Sequence, residues 1–246
     1  YSHASHVGAA LSVVDILYVL YTKIARITKE NVFSLDRDKV ILSKGHASTA
    51  LYSVLAYCGL LDKEKLERYY IDGGELPGHL DKEAVPGVDV SAGSLGHGLS
   101  LGVGMAMAKP QYKVYVVLGD GECEEGSVWE AAQLASALKV KNLVCIVDAN
   151  GWQGFGKTQE ISAGCLSDKF RAFGWDVAEC NGHALLELEK TLKKSADGPK
   201  AIIAHTHKGN GVSFMQDQFI WHYKSPNDEQ WVQVCAELDS PKGDVK

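Results

Sequence analysis

The chain alternates between two hydrophobic rhythms. Residues 113–118 and 143–149 are short, nearly unbroken apolar runs, the pattern of strands buried on both faces. Beside them, residues 94–108 and 127–138 place apolar side chains at helical spacing and predict crossover helices. The alternation continues with 175–179 as a strand, 184–194 as a helix and 200–205 as a strand. Nearer the N-terminus, Val13, Ile16, Leu17, Leu20 and Ile24 recur every three or four residues, which predicts a helix with one buried face over 12–25. Residues 39–42 then read as a strand, Ser43-Lys44-Gly45-His46 as a glycine turn, and 47–57 as a helix. Together these predict an α/β fold, a mostly parallel sheet with helices on both faces. Ligands of such sheets sit beyond the carboxyl ends of the strands.

One segment breaks the rhythm. Residues 72–90 hold four glycines and two of the six prolines around His79, which predicts a long ordered loop. Tyr1 reads as entering in mid-helix, and 241–246 as a frayed end. No repeat or low-complexity segment divides the chain, so 1–246 reads as a single domain.

Composition narrows the function classes. With 246 residues and 46% hydrophobic content the chain can bury a full core. A net charge of −6 without any Lys/Arg run argues against a nucleic-acid partner. The apolar runs are far shorter than the roughly 20 residues of a bilayer span, and no signal peptide is evident, so the expectation is no membrane and a cytoplasmic location. Six cysteines lie scattered without metal-type pairing.

The chemistry concentrates at Gly119-Asp120-Gly121, where a buried strand ends, and at Asn150, where the next one ends. Both polar groups therefore reach the same sheet edge. A carboxylate, an amide oxygen and the backbone carbonyl of Trp152 form a hard oxygen set that suits magnesium sharing its shell with a diphosphate. The flanking glycines allow close backbone approach to phosphate. Gly-Asp-Gly alone would read as a tight turn; Asn150 shifts the reading. A Rossmann dinucleotide site is disfavoured, because Gly96-x-Gly98 is followed by Gly102 rather than by a glycine at the third fingerprint position.

These residues resemble the thiamine diphosphate enzymes, whose signature is Gly-Asp-Gly followed one crossover later by Asn, and in particular the N-terminal region of the transketolases. Ser5-His6-Val7-Gly8 resembles the family's Ser/Gly-His-Pro-Gly, with Asp15 placed as in its first helix. Ile41-Leu42-Ser43-Lys44-Gly45-His46 resembles Leu-Ser-Asn-Gly-His, Pro77-Gly78-His79 resembles Pro-Gly-His, and Ser94-Leu95-Gly96-His97-Gly98 resembles Pro-Leu-Gly-Gln-Gly. Five motifs in register carry the resemblance over nearly the whole chain. The stretch 206–214 with Trp221-His222 resembles the ending of transketolases split over two genes. Val7, His97 and 152–155 depart from the family pattern.

The resemblance implies the thiamine diphosphate-binding fold, with thiamine diphosphate and Mg2+ as cofactors and Ca2+ or Mn2+ able to substitute. It implies His6, His46, His79 and His222 along the substrate channel as catalytic residues. Cofactor contacts would come from His46, Ser94, Leu95, Gly96, Gly119, Asp120, Gly121, Glu122, Asn150 and His222, and metal ligation from Asp120, Asn150 and Trp152. Glu125 and Glu130 resemble acidic residues that link two active sites across the family's dimer interface; as glutamates in a helix's first turns they also complement its dipole. His3, His183, His205 and His207 are read as structural. The glutamate that activates the cofactor's ring lies on a pyrimidine-binding domain beyond this region. A C-terminal partner subunit is therefore expected, with sugar or sugar-phosphate substrates, two-carbon ketol transfer and assembly into a heterotetramer. Competing readings are a deoxyxylulose-phosphate synthase-like subunit, another thiamine diphosphate enzyme subunit such as a pyruvate dehydrogenase alpha chain, and a non-catalytic subunit that keeps the cofactor fold.

Overall fold

The computed structural model describes Ser2 and residues 4–240; the expectations placed at Tyr1, His3 and 241–246 lie outside the described residues. Helix α1 (Val7–Val19) runs on through a wider turn, Leu20–Ile24, and is followed by β1 (Lys39–Leu42) and α2 (Ser48–Tyr57). After the long loop come α3 (His97–Ala108), β2 (Val114–Gly119), α4 (Gly126–Ala137) and β3 (Leu143–Ala149). A small hairpin, β4 (Trp152–Gln153) and β5 (Gly156–Lys157), leads into α5 (Thr158–Ile161) and α6 (Leu166–Ala172). The chain ends with β6 (Asp176–Asn181), α7 (Leu185–Lys193), β7 (Lys200–His205) and α8 (Asp228–Asp239).

Five strands form one parallel sheet in the order β1-β2-β3-β7-β6. The expected α/β architecture follows from how the strands divide their side chains. Val40, Leu42, Tyr115, Val117, Val144, Ile146, Ile202 and Ala204 pack under α1, α2 and α7. Their neighbours Ile41, Val114, Val116, Leu118, Leu143, Cys145, Val147, Ala201 and Ile203 pack under α3, α4 and α6. Alternation with both faces apolar explains the continuous runs, and complete burial of such a side chain stabilises the fold by about 1.5–3 kcal/mol. The order places β2 and β3 side by side in the middle, with Gly119 level with Asp148. Asp120 and Asn150 thus leave the sheet together.

Several boundaries differ from expectation. The first helix starts at Val7 rather than residue 12, behind His6 in a left-handed conformation (φ 69°). Its stretch Val7–Ile24 has the length and mean hydropathy (1.6) of a membrane span, yet 56% of it is buried, packed on α2 and α7. The helix expected from residue 94 begins only at His97, because Gly96 stands at its N-cap with φ 82°. The loop over 72–90 is fastened by buried Leu76, Leu80, Val85 and Val88. Its Asp89 accepts from Val40 N–H (3.0 Å) and pairs with Arg37 (2.8 Å), which covers the open edge of β1.

Candidate active site

The glycine that ends β2 delivers Asp120 to a socket of donors. Its Oδ2 accepts from Gly151 N–H (2.7 Å) and from the Thr158 hydroxyl (3.0 Å), while Oδ1 accepts from Gly121 N–H (3.0 Å). Burial, then the nearby Asp148, pushes the Asp120 carboxyl up to about 6. Lys44 offsets part of this without pairing directly with the carboxylate. Asn150 is oriented from below. Its Nδ2 donates to Ser12 Oγ (3.2 Å), and the Ser12 hydroxyl donates to Asp148 Oδ2 (2.6 Å). Asn150 Oδ1 therefore faces the edge, where it accepts from Trp152 N–H (3.0 Å) and retains a second lone pair. Asp148, wholly buried, also accepts from Lys44 Nζ (2.5 Å) and from the Thr206 hydroxyl.

Beside this edge the fold gathers four histidines from distant positions. His6 stands before α1, His46 in the turn after β1, His79 in the long loop, and His222 in a short turn after β7. The ring of His6 lies 5.0 Å from that of His46, 5.2 Å from His222 and 6.4 Å from His79; His46 and His222 are 6.2 Å apart. Burial lowers His6 to about 4 and His222 to about 3, and drives His46 well below the usual imidazole range, each helped by neighbouring lysine and histidine charge. Near pH 7 these rings are neutral, able both to donate and to accept.

Known proteins share the sequence and the fold of this chain. Residues 2–234 match the family model described as transketolase, thiamine diphosphate binding domain. This chain belongs to the transketolase family. It is 41% identical over 243 residues to one chain of the apulose-4-phosphate transketolase of Phocaeicola vulgatus, covering 96% of this chain and 86% of that one. It is 38% identical over 242 residues to one chain of the 6-deoxy-6-sulfo-D-fructose transketolase of a Clostridium species, covering 95% and 88%. Both relatives are named as individual subunits of their enzymes. Among solved structures, transketolase from Leishmania mexicana superposes with a TM-score of 0.83 at 25% identity, over 96% of this chain. The chain spans 42% of that protein's length.

The residues present fit a transketolase's cofactor and a divalent metal. Among the described residues no three His, Cys, Asp or Glu side chains form a metal cluster; the oxygen set has one carboxylate, with amide and carbonyl oxygens expected to complete it. Next to that corner, Lys208 is 1% exposed; it feels the charge of Asp120 and Asp148 but forms no ion pair within 4.0 Å among the described residues, and its Nζ meets His222 Nδ1 (2.5 Å). Gln153 Nε2 is buried without a hydrogen-bond partner. Gly151, at φ 78°, has open space where a side chain would project. A metal-bound diphosphate would answer each unpaired group. Asp120, Asn150, Gly151 and Trp152 line one end of a cavity of about 1030 Å³.

Glu122, expected at the cofactor, is 3% exposed and turned inward: it accepts from Gly96 N–H (2.8 Å), Gly119 N–H (3.0 Å) and the Ser43 hydroxyl. It locks the Gly96 turn to the end of β2. Gly96 itself admits no side chain, since a Cβ would come within 2.5 Å of Glu125 Cβ and Ser127 Oγ. Ser94 lies exposed in a separate cavity beside His97, and Leu95 is half-buried. Glu125 and Glu130 are exposed at and within α4. His183, His205 and His207 pair with Asp15 (2.8 Å), Glu179 (2.9 Å) and Asp217 (2.9 Å), as structural histidines would. Sequence reasoning missed Lys208, Asp148 and Gln153. A charged residue inside the buried run 143–149 was the available signal for Asp148.

Proposed function

We propose that this chain is the diphosphate- and metal-binding subunit of a two-chain transketolase, transferring a two-carbon ketol unit from a phosphorylated or otherwise modified ketose to an aldose. The observation that carries this reading is the four-histidine cluster set against an edge whose charges, Asp120 on one side and Lys208 on the other, form no ion pair among the described residues. Thiamine diphosphate supplies the electron sink for carbon–carbon cleavage. Asp120, Asn150 and the Trp152 carbonyl hold Mg2+, with Ca2+ or Mn2+ as substitutes. His46, His222, Ser94, Leu95, Gly96, Gly119 and Gly121 contact the cofactor. His6, His46, His79 and His222 orient sugar hydroxyls, and His6 and His46, neutral near pH 7, can exchange protons with them.

Kinship to subunits whose names specify apulose-4-phosphate and 6-deoxy-6-sulfofructose supports a modified ketose and a second chain bearing the pyrimidine-binding domain. The exposed Glu125 and Glu130 support pairing of two such assemblies into a heterotetramer, and six free thiols support a reducing, cytoplasmic setting. The test is to mix the purified chain with a candidate partner, thiamine diphosphate and Mg2+, and to follow ketol transfer. Transfer from at least one modified ketose is expected. A stable complex that transfers nothing from phosphorylated, sulfonated and unmodified ketoses refutes the enzymatic reading.

A further inference from the structure

Lys208 is placed with unusual care for a residue bearing a mobile side chain. It follows Thr206 and His207 beyond β7, in a turn tied down at both sides: Gly209 N–H donates to Gly8 O (2.9 Å), and Asp217 N–H donates to Lys208 O (2.8 Å). The lysine stem crosses the start of α1 at Gly8, where a Cβ would sit 3.1 Å from Lys208 Cγ. Fully buried, the stem ends with Nζ 2.5 Å from His222 Nδ1. His222 is held independently, its carbonyl accepting from His6 N–H (3.2 Å) and its ring packed on Tyr223 (4.7 Å) and Phe219 (6.4 Å).

We propose that Lys208 is a positioning residue that fixes His222 in the tautomer protonated on Nε2. An ammonium carries three donors and no acceptor, so an imidazole nitrogen at hydrogen-bond distance must offer its lone pair. With Nδ1 so engaged, the single proton of the neutral ring resides on Nε2. Double protonation would set an N–H against the ammonium. The groups that face His222 reinforce this. Lys208, His6 and Lys44 all act to keep the ring uncharged, and burial does most. Lys208 itself, lowered by burial to about 8, is still mainly an ammonium at pH 7.

The consequence divides labour within the cluster. His222 presents an N–H, so it serves as a hydrogen-bond donor rather than as a base. Nε2 lies on the side of the β4–β5 hairpin, 3.8 Å from where a Cβ on Gly154 would stand. His6, whose Nδ1 meets Ser5 Oγ (2.8 Å), is under no such restriction, because a hydroxyl can give or take the proton. That donor role toward substrate rests on the proposed function; the tautomer does not.

The tautomer can be read from the isolated chain without cofactor or partner. Long-range proton–nitrogen correlation spectra of the 15N-labelled protein at pH 7 distinguish the two imidazole nitrogens, with His222→Gln supplying the assignment. The wild type is expected to show only the Nε2-protonated form of His222. Lys208→Met should admit the Nδ1-protonated form and raise the His222 titration midpoint by about one pH unit or more, as removal of an adjacent cation does. Lys208→Arg, which also only donates, should restore the wild-type signature. A wild-type spectrum showing Nδ1 protonated, or a Lys208→Met spectrum and titration identical to wild type, overturns the proposal. The wild-type spectrum decides on its own if Lys208→Met does not fold. Neither outcome alters the ketol-transfer test.

Discussion

Replacing Glu122 separates a structural carboxylate from a cofactor contact. In the wild type its two oxygens satisfy Gly96 N–H, Gly119 N–H and the Ser43 hydroxyl. Glu122→Ala leaves two buried backbone donors without partners, while Ser43 can rotate toward another acceptor. Each stranded donor costs about 1–3 kcal/mol, so the gross loss is about 2–6 kcal/mol. Part is returned, because burial raises the Glu122 pKa despite its hydrogen bonds, showing that the charge is costly to keep inside. A net loss of about 2–4 kcal/mol follows, a large share of the roughly 5–15 kcal/mol that stabilises a typical domain. Glu122→Gln keeps the shape but turns an amide N–H toward one of the donors, and should cost about 1–2 kcal/mol. Urea denaturation of the cofactor-free chain, followed by circular dichroism, measures both. If Glu122→Ala melts within 0.5 kcal/mol of wild type yet binds thiamine diphosphate tenfold more weakly, the clamp assignment is wrong and Glu122 reaches the cofactor.

Three other expectations bear on the edge and the cluster. Asp120→Asn should weaken Mg2+-dependent thiamine diphosphate binding at least about 100-fold by calorimetry, since the metal loses its one carboxylate; unchanged binding removes Asp120 from the ligand set. Stability of the cofactor-free chain should fall by about 1 kcal/mol between pH 7 and pH 5 in urea melts, with the lowered His46 acting in the same direction. His6 and His222 have folded pKa values lowered to about 4 and 3, so their contribution is present above 6.5 and shrinks as pH falls, by about 1 kcal/mol each at pH 5 once solvent screening of these partly exposed rings is allowed for. Asp120, raised to about 6, acts oppositely and returns about 1 kcal/mol over that range, so a stability that rises toward pH 5 would contradict the neutral cluster. Gly96→Ala combines a left-handed backbone with a 2.5 Å collision and should destabilise by about 2–4 kcal/mol, read as a lowered thermal midpoint.

The sheet was legible because its strands are buried on both faces, which leaves runs such as 113–118 without polar interruption. The hairpin β4–β5 and helix α6 were not, as two-residue strands and a seven-residue helix are too short to show a period. Helix α8 was missed although Asn227 and Gln230 form a capping box at its start; exposed Trp231 and Val232 blur its apolar face. Asp120 and Asn150 could be placed on one edge from strand ends alone. The four histidines could not, because only the fold brings residues 6, 46, 79 and 222 together, and their grouping came from family motifs. Glu122 shows the limit of carrying a motif over: the residue is where the family pattern puts it, while its partners are backbone amides. Pairings such as Lys44 with Asp148 span 104 positions and leave no local trace.

The segment that departs most from the family pattern, 152–155, connects the two halves of the site. Gly151 N–H and the Thr158 hydroxyl grip Asp120 from either end of the hairpin, and Trp152 N–H grips Asn150. On its other side the hairpin is fastened to the turn that carries His222: the Tyr223 hydroxyl donates to Gly154 O (2.6 Å), and the Trp152 ring lies 6.2 Å from that of Phe219. A metal drawing on Asp120, Asn150 and the Trp152 carbonyl would therefore pull on the same strip of backbone that sets the height of His222. Ligation at this edge and the placement of His222 would then be mechanically linked. Within 152–155 the hydrogen-bonded ties use the Trp152 N–H and the Gly154 C=O, which every sequence supplies, so changed side chains there leave them in place and forfeit only the Trp152–Phe219 ring contact.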